Sequence, residues 1–297
     1  MSKLFAGIGL PLLTALAIAG CGSSSTSTST TATSASNPVN PSVAAQVPAS
    51  VKSAGTLTVA SDATYAPNEF IASDGHTVIG MDPDLMKALA EVMGLKVNVI
   101  NATFDTIIPG LAGGKYDVGA SSFTDTAERE KTVNFVTYFS AGTSFYAKST
   151  ANPGVNTIAD LCGKTVAVEK GTTEEEEAKA QSTKCTKEGK AAVTVLVYPT
   201  QNGANLAITS GRADLGMADS PVAAYQVAQS GGALKLVGQT YGAAPYGLAF
   251  PKSSAMPTPT LAALKVLMAN GTYLKILTKW GVQAGAITNP TINGATG

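Results

Sequence analysis

Short strand-type and helix-type segments alternate along the chain from Leu57 onwards. Apolar runs such as LTVAS at 57–61 and LKVNVI at 95–100 have the alternation typical of strands, and apolar residues at helical spacing follow them. An order of this kind is typical of α/β proteins with parallel-rich sheets. The sequence therefore predicts mixed, mostly parallel sheets flanked by helices.

One motif occurs twice in this pattern: GKYDVG at 114–119 returns as GRADLG at 211–216. Each copy follows a predicted helix and leads into a predicted strand. Ligands of open α/β sheets bind beyond the carboxyl ends of strands. The repeat therefore predicts two lobes facing each other across a cleft. We assign residues 54–144 and 243–297 to lobe 1 and residues 145–242 to lobe 2.

The first 53 residues have a different composition. Lys3 precedes an uncharged apolar run at 4–19, which is short for a membrane span but typical of a signal peptide. Cys21 follows small residues and resembles a lipoprotein attachment site, although an ordinary secretory signal with a fortuitous cysteine is the alternative. We predict a signal peptide at 1–20, a lipid on Cys21 and a Ser/Thr-rich tether over 21–53.

Charge and histidine content exclude several classes of function. Lys and Arg number 20, Asp and Glu number 20, and the net charge is zero, which argues against nucleic-acid binding. The single histidine, His76, excludes zinc motifs with two histidines and belongs to a predicted turn. We expect neither a metal nor a cofactor.

Two cysteines remain once Cys21 is set aside. Because an exported chain meets oxidising conditions, Cys162 and Cys185 are expected to form a disulfide. The chain-entropy model gives such a bond about 3 kcal/mol of stabilisation. Two reduced buried thiols are the alternative.

Polar residues follow the strand predicted after the first repeat. Ser121, Ser122 and Thr124 precede a predicted helix with Arg129 in its first turn. Free N–H groups at a helix start attract anions, and a guanidinium grips a carboxylate with two hydrogen bonds. This stretch predicts an anion site, unless Arg129 pairs with the nearby acids at 125 and 128.

The second repeat ends on the opposite charge. Asp219 follows the strand DLGMA and could hold an ammonium group, or could simply cap the next helix. Facing anion and cation sites would match a zwitterion. A turn with Thr172 and Thr173 could add N–H groups and hydroxyls, and the four Glu at 174–177 after it are expected to be solvated.

Four stretches carry a family resemblance: SDATYAPNEF at 61–70, GMDPDLMKALA at 80–90, residues 104–129, and VAVEKGTT at 166–173. They closely resemble the polar amino-acid substrate-binding proteins of bacterial ABC importers, solute-binding protein family 3. The resemblance implies the type II periplasmic-binding fold, with two lobes joined by two hinge strands, near 142–146 and 242–247.

The resemblance also implies roles for individual residues. The ligand carboxylate would be held by Arg129, Thr124 and the Ser122 backbone, with Thr172 or Thr173 closing from the other lobe. Ser121 would also belong to the binding site. Asp219 would bind the ammonium group. Tyr65 and Phe104 would sandwich the aliphatic side chain, or could be plain core aromatics. Asp62 would reach the head group, or could cap the loop after its strand.

Two positions depart from the family pattern. Asn68 stands where an aromatic is common, which loosens one wall of the expected site. Glu169 stands where relatives carry Lys, Gln or a neutral residue. If Glu169 faces the ligand, it favours a cationic side chain together with Asp62; if it faces water, glutamine is equally compatible.

The function implied is that of a monomeric, extracytoplasmic receptor. It would bind a free L-amino acid of the arginine, lysine or glutamine class and deliver it to a membrane permease served by a separate ATPase. One alternative is a dehydratase on the same fold, acting on cyclohexadienyl or arogenate-type precursors of aromatic amino acids. A tethered adhesion module is another.

Overall fold

The computed structural model describes residues 37–295. The predicted signal peptide, Cys21 and the Ser/Thr-rich segment lie outside the described residues. The strands are β1 (Thr56–Ser61), β2 (Thr64–Tyr65), β3 (Glu69–Ile71), β4 (Val78–Ile79), β5 (Lys96–Asn101), β6 (Val118–Gly119), β7 (Val133–Lys148), β8 (Thr165–Glu169), β9 (Thr194–Tyr198), β10 (Leu215–Asp219) and β11 (Leu234–Pro251).

Helices flank these strands. They are α1 (Pro41–Ala44), α2 (Ala49–Ala54), α3 (Met81–Met93), α4 (Phe104–Ala112), α5 (Ala127–Glu130), α6 (Thr173–Lys187), α7 (Gln201–Thr209), α8 (Ser220–Gln229), α9 (Pro257–Ala269) and α10 (Thr272–Lys279), with 3₁₀ turns at Ile158–Leu161 and Gln283–Gly285. Within residues 37–295, none of the helices is both long and apolar enough to cross a membrane.

The main sheet has eight strands in the order β5-β1-β6-β11-β7-β10-β8-β9. Strand β1 pairs in parallel with β5 and β6 at one end, and β8 pairs in parallel with β9 and β10 at the other. Strands β2, β3 and β4 form a small antiparallel sheet. The α/β prediction is confirmed.

Strands β7 and β11 join the two parallel groups. They pair antiparallel from Leu234 with Lys148 to Pro251 with Val133, and the pairing shifts near residues 237–247. The sequence did not indicate β7. This strand is buried along nearly its whole length, so it lacks the alternation that marks half-buried strands. The predicted hinge stretches lie inside these two strands.

The repeated motif makes the same corner twice. The Asp117 carboxylate accepts a hydrogen bond from the Thr58 N–H at 2.8 Å, and the Asp214 carboxylate accepts one from the Thr165 N–H at 2.8 Å. Each aspartate's own N–H donates to the backbone carbonyl of the same threonine. Both corners attach a new strand in parallel to an existing one. The two halves of the sheet are therefore built alike.

Helix α3 lies between two glycines with positive φ. Gly80 precedes the helix with φ of 140°, and a Cβ there would lie 2.1 Å from the Asn68 carbonyl oxygen. Asp82 is the second residue of the helix, and its side chain is fully buried. Gly94 ends the helix with φ of 75°.

The hydrophobic core forms separate clusters in the two halves of the sheet. One pair of clusters draws on residues up to 141 and from 246 onwards, and the other pair on residues 145–241 together with Tyr65. This division parallels the proposed lobes, whose boundaries stay a prediction.

The described part of the predicted tether is folded. Residues 41–44 and 49–54 form α1 and α2, and Val43 and Val47 are buried in the core cluster that contains α3. The N–H of Asn37 donates to the Glu91 carboxylate at 2.8 Å. Two apolar side chains are too few to show periodicity. The sequence therefore did not indicate that this segment packs against the core cluster that contains α3.

A disulfide joins Cys162 and Cys185, as predicted, with their Cα atoms 5.6 Å apart. It ties the segment after the 3₁₀ turn at Ile158–Leu161 to the last turns of α6. The alternative of two free thiols is therefore wrong.

Candidate functional site

A cavity lies at the carboxyl ends of β1, β8 and β10. Its lining combines residues from both halves of the sheet: Asp62, Tyr65, Phe104, Ser121, Ser122, Thr124, Arg129, Glu169, Thr172, Thr173, Glu174 and Asp219. All ten residues that the sequence predicted for ligand binding are among them. That these residues bind a ligand stays a prediction.

Arg129 lies in the four-residue helix α5, which Thr126 caps through its hydroxyl. Its guanidinium donates one hydrogen bond to the Thr124 carbonyl at 2.9 Å and another to the Gly171 carbonyl at 3.0 Å. Its Cζ atom also lies 5.5 Å from the centre of the Phe104 ring. Backbone carbonyls from both sides of the cavity therefore hold the guanidinium in place.

No carboxylate of residues 37–295 forms an ion pair with Arg129. Glu128 pairs with Lys131, and Asp125 binds the Gly294 N–H instead. The alternative that Arg129 pairs with either acid is therefore wrong. Burial lowers the pKa of Arg129 from its usual value, and the guanidinium keeps donors available for an anion in the cavity.

Asp219 ends β10 on the opposite side of the cavity. Its side chain makes no capping hydrogen bond to α8, so the alternative of a simple helix cap is wrong. Its Oδ2 atom instead accepts a hydrogen bond from the Tyr65 hydroxyl at 2.9 Å. Burial, followed by the nearby Glu174 carboxyl, raises the pKa of Asp219 well above its ordinary value. A cationic partner would lower this pKa again and favour the ionised carboxylate.

The Asp62 carboxylate lies directly after β1 and accepts hydrogen bonds through both of its oxygens. Its Oδ1 accepts from the Thr64 hydroxyl at 2.6 Å, and its Oδ2 accepts from the Phe104 N–H at 2.9 Å. The expected alternative, a cap of the loop after β1, is therefore present, and Asp62 also lines the cavity. Burial raises its pKa.

Glu169 ends β8 and faces the cavity, which answers the question that the sequence left open. Its side chain is buried, and within residues 37–295 its Oε1 atom has no hydrogen-bond partner. Burial, followed by repulsion from Asp62, raises the pKa of Glu169 well above its ordinary value. An unpaired buried carboxyl is costly, so this oxygen is suited to a donor supplied by a ligand.

Glu174 was missed by sequence analysis. The prediction that all four glutamates at 174–177 are solvated is wrong, because Glu174 and Glu175 are buried. Glu174 accepts a hydrogen bond from the Thr143 hydroxyl at 3.2 Å, and burial raises its pKa. Its position in the first turn of α6, directly after Thr172 and Thr173, is the feature that could have identified it.

Two of the predicted aromatic residues lie at the cavity and also belong to core clusters, whereas Asn68 lies outside the cavity lining. Tyr65 and Phe104 both line the cavity, and the Phe104 ring stacks on Phe123 with centroids 4.5 Å apart. Asn68 was expected to loosen a wall of the site. It is fully buried outside the lining and donates a hydrogen bond to the Ser122 hydroxyl at 2.9 Å.

The lining is rich in acid. Four carboxyl groups, those of Asp62, Glu169, Glu174 and Asp219, share the cavity with a single guanidinium. Repulsion from Asp62 contributes to the raised pKa of Glu169, and repulsion from Glu174 contributes to that of Asp219. The cavity therefore has one cationic group and an excess of acidic groups that a bound cation would ionise, an arrangement suited to a ligand with positive charge at two places and negative charge at one.

Comparison with known proteins agrees with this geometry. The chain is 37% identical over 254 residues to the arginine-binding protein ArgT of Corynebacterium glutamicum, covering 85% of this chain and 83% of that protein. Two solved structures of ancestral arginine-binding proteins are similar. One, bound to glutamine, has a TM-score of 0.71 and 35% identity and covers 77% of this chain and 98% of its own. The other, bound to arginine, has a TM-score of 0.70 and 36% identity and covers 76% and 98%.

The family model of the bacterial extracellular solute-binding proteins, family 3, matches residues 57–283. The match includes both copies of the repeated motif and every residue that lines the cavity. The chain therefore belongs to family 3 of the bacterial extracellular solute-binding proteins.

Proposed function

We propose that this protein is the extracytoplasmic receptor of an amino-acid ABC importer and that its ligand is a basic L-amino acid, with L-arginine preferred. The single observation that carries this proposal is the composition of the cavity, where Arg129 and Asp219 face one space from opposite halves of the sheet. Arg129 would bind the ligand carboxylate, with Ser121, Ser122, Thr124 and the Thr172–Thr173 turn around it. Asp219 would bind the ammonium group.

The preference for a basic side chain follows from the remaining acids. Buried charges are tolerated only when each has a partner. Once Asp219 takes the ammonium group, Asp62, Glu169 and Glu174 remain. Asp62 and Glu169 are neighbours, and within residues 37–295 Glu169 has an oxygen without a donor. A guanidinium supplies both the charge and several N–H donors. The neutral amide of glutamine supplies donors but no charge.

The relatives support this choice of ligand. ArgT is named for arginine, and the two ancestral proteins are described as bound to arginine and to glutamine. Glutamine is therefore the main competing ligand. A dehydratase is less well supported, because the relatives compared above are named as binding proteins and the cavity acids are already suited to hold a cation.

Several further properties belong to this proposal. The protein would be anchored through a lipid on Cys21 and act as a monomer. The ligand would hold two lobes together by contacting both, with bending in β7 and β11 near 142–146 and 242–247. The closed form would then dock on a permease whose ATPase is a separate chain.

Calorimetric titration of the purified protein with L-arginine, L-lysine and L-glutamine tests the proposal. We expect arginine to bind at least about tenfold more tightly than glutamine, which corresponds to about 1.4 kcal/mol. Glu169→Gln should reduce this preference, because it removes the charge but keeps the shape. Glu188→Gln is the matched control, since Glu188 is exposed and pairs with Lys190.

Two results would contradict the proposal. One is the absence of binding in a thermal-shift screen of all twenty amino acids, since a ligand that binds the native state raises apparent stability. The other is conversion of prephenate or arogenate by the purified protein, which would favour the dehydratase.

A further inference from the structure

Two buried carboxyl groups lie behind the serine pair of the cavity. Glu69, in β3, and Asp82, in α3, are both fully buried, and neither lines the cavity. Within residues 37–295, neither has a Lys or Arg within ion-pair distance. Such a pair of acids is costly to bury, and no ligand contact explains its presence.

The carboxyls contact the polar groups of the serine pair. Glu69 accepts a hydrogen bond from the Ser121 hydroxyl at 3.2 Å through Oε1 and one from the Ser122 hydroxyl at 3.3 Å through Oε2. Asp82 accepts the Ser122 N–H at 2.9 Å. The orientation of both hydroxyls and of one backbone N–H next to the cavity therefore depends on these two acids.

Ser122 requires such support because its backbone is strained. Its φ is 51°, in the left-handed region that non-glycine residues rarely adopt. Residues in this region persist only where their surroundings fix them, and they cluster at ligand-binding sites. Asp82 holds the N–H of Ser122, while Glu69 and Asn68 hold its hydroxyl.

The two carboxyls lie close together, because Glu69 contacts the hydroxyl of Ser122 and Asp82 contacts its N–H. Two carboxyls that share a buried site do not both ionise readily, so one of them keeps its proton. Asp82 already accepts from the Tyr138 hydroxyl at 2.6 Å and from the Ser122 N–H, so donors surround it and the ionised form suits it. Burial raises the pKa of Asp82 to about 6 and the pKa of Glu69 well above its ordinary value, with Asp82 as the next cause for Glu69. Asp62 and Tyr138 are the other titratable groups close to the pair.

We infer that Glu69 and Asp82 form a buried acid pair that shares one proton, carried by Glu69, and that this pair positions Ser121 and Ser122 to receive the ligand. Both are positioning residues, because they act through the serines. The positioning role rests on the proposed function, because it concerns ligand binding. The shared proton can be measured without a ligand.

The test compares the dissociation constant for L-arginine among variants. Glu69→Gln imitates the protonated acid, because its amide can donate to Asp82 and accept from a serine hydroxyl, so affinity should stay within about threefold of the wild type. Glu69→Ala should weaken binding at least about tenfold. Asp82→Asn should also weaken it, because its NH₂ group would face the Tyr138 and Ser122 donors.

Asp84→Asn is the matched control on the same helix. Asp84 accepts from Lys279 and Trp280, away from the cavity, so its substitution should leave affinity unchanged. If Glu69→Ala lowers the melting temperature but binds arginine as the wild type does, the positioning role is refuted. If Glu69→Gln binds as poorly as Glu69→Ala, the shared proton is refuted. Should Asp82→Asn not fold, the two Glu69 variants still decide.

Infrared difference spectroscopy provides a readout without ligand. At neutral pH the wild type minus Glu69→Gln should show the carbonyl band of a protonated carboxylic acid. The absence of that band would overturn the inference. If the band is present but the wild type binds none of the amino acids, the proposed function fails and the proton sharing stands.

Discussion

The Tyr65 hydroxyl donates a hydrogen bond to Asp219 Oδ2 at 2.9 Å and accepts one from the Asp219 N–H at 3.0 Å, although 154 residues separate the two. Tyr65 belongs to the small sheet that follows β1, and Asp219 ends β10. This contact joins the two sides of the cavity. It also orients the carboxylate that we propose as the partner of the ligand ammonium group.

Tyr65→Phe is expected to weaken arginine binding, because the ring stays and only the donor to Asp219 is lost. A hydrogen bond to a charged group contributes about 1.5–3 kcal/mol, so we expect affinity to fall by a similar free energy in calorimetry. Tyr225→Phe, outside the cavity lining, is the control. Equal affinities for Tyr65→Phe and the wild type would mean that the hydroxyl does not prepare Asp219 for the ligand.

Arg129→Ala should lose about 2–5 kcal/mol of arginine binding, because the ligand carboxylate would be buried without a partner. The arginine affinity of Arg129→Lys should lie between those of Arg129→Ala and the wild type. Lysine keeps the positive charge but lacks the planar guanidinium that makes two parallel hydrogen bonds. Arg212→Ala is a suitable control because Arg212 is exposed. Calorimetry showing wild-type affinity in Arg129→Ala would defeat the assignment of the carboxylate site.

Asp125 should make stability depend on pH. Its carboxyl accepts the Gly294 N–H at 2.7 Å, and burial raises its pKa to about 7. The unfolded chain loses this proton near pH 4, so the stabilising effect is complete below that value and is lost as pH rises towards 7. The slope from this group is at most about 1.4 kcal/mol per pH unit.

Asp125→Asn should remove this slope in denaturant titrations of the ligand-free protein between pH 4 and 7. Asp74→Asn is the contrasting control, because hydrogen bonds from Thr77 and His76 lower the pKa of exposed Asp74 to about 2. Its stabilising effect is present above its ordinary pKa and is lost only in more acidic solution. The same slope in Asp125→Asn and the wild type would refute the raised pKa.

The double substitution Cys162→Ser and Cys185→Ser should lower the free energy of unfolding by about 3 kcal/mol, because the disulfide no longer restricts the unfolded chain. Arginine affinity should be unchanged, since neither cysteine lines the cavity. Denaturant unfolding and calorimetry measure the two quantities. A large loss of arginine affinity together with an unchanged free energy of unfolding would contradict this prediction.

The sequence by itself determined the alternating order of strands and helices, the repeated corner at Asp117 and Asp214, and the residues that follow the strand ends. These features are local, because side-chain periodicity and turn residues depend on neighbours in the chain. Within each half of the sheet, parallel strands place their carboxyl ends together. The assignment of Asp62, Arg129 and Asp219 to one site also needed the family resemblance, because β1 and β10 run in opposite directions and belong to different halves.

Only the tertiary structure decided how the two halves are joined and which acids are buried. The pairing of β7 with β11 depends on backbone hydrogen bonds between segments that are far apart in the chain, which local periodicity does not reveal. Asp82 and Glu174 occupy helix starts where solvated or capping acids are common, so their neighbours in sequence indicated exposure. Their burial is set by Tyr138 and Thr143, which only the folded chain brings into contact with them.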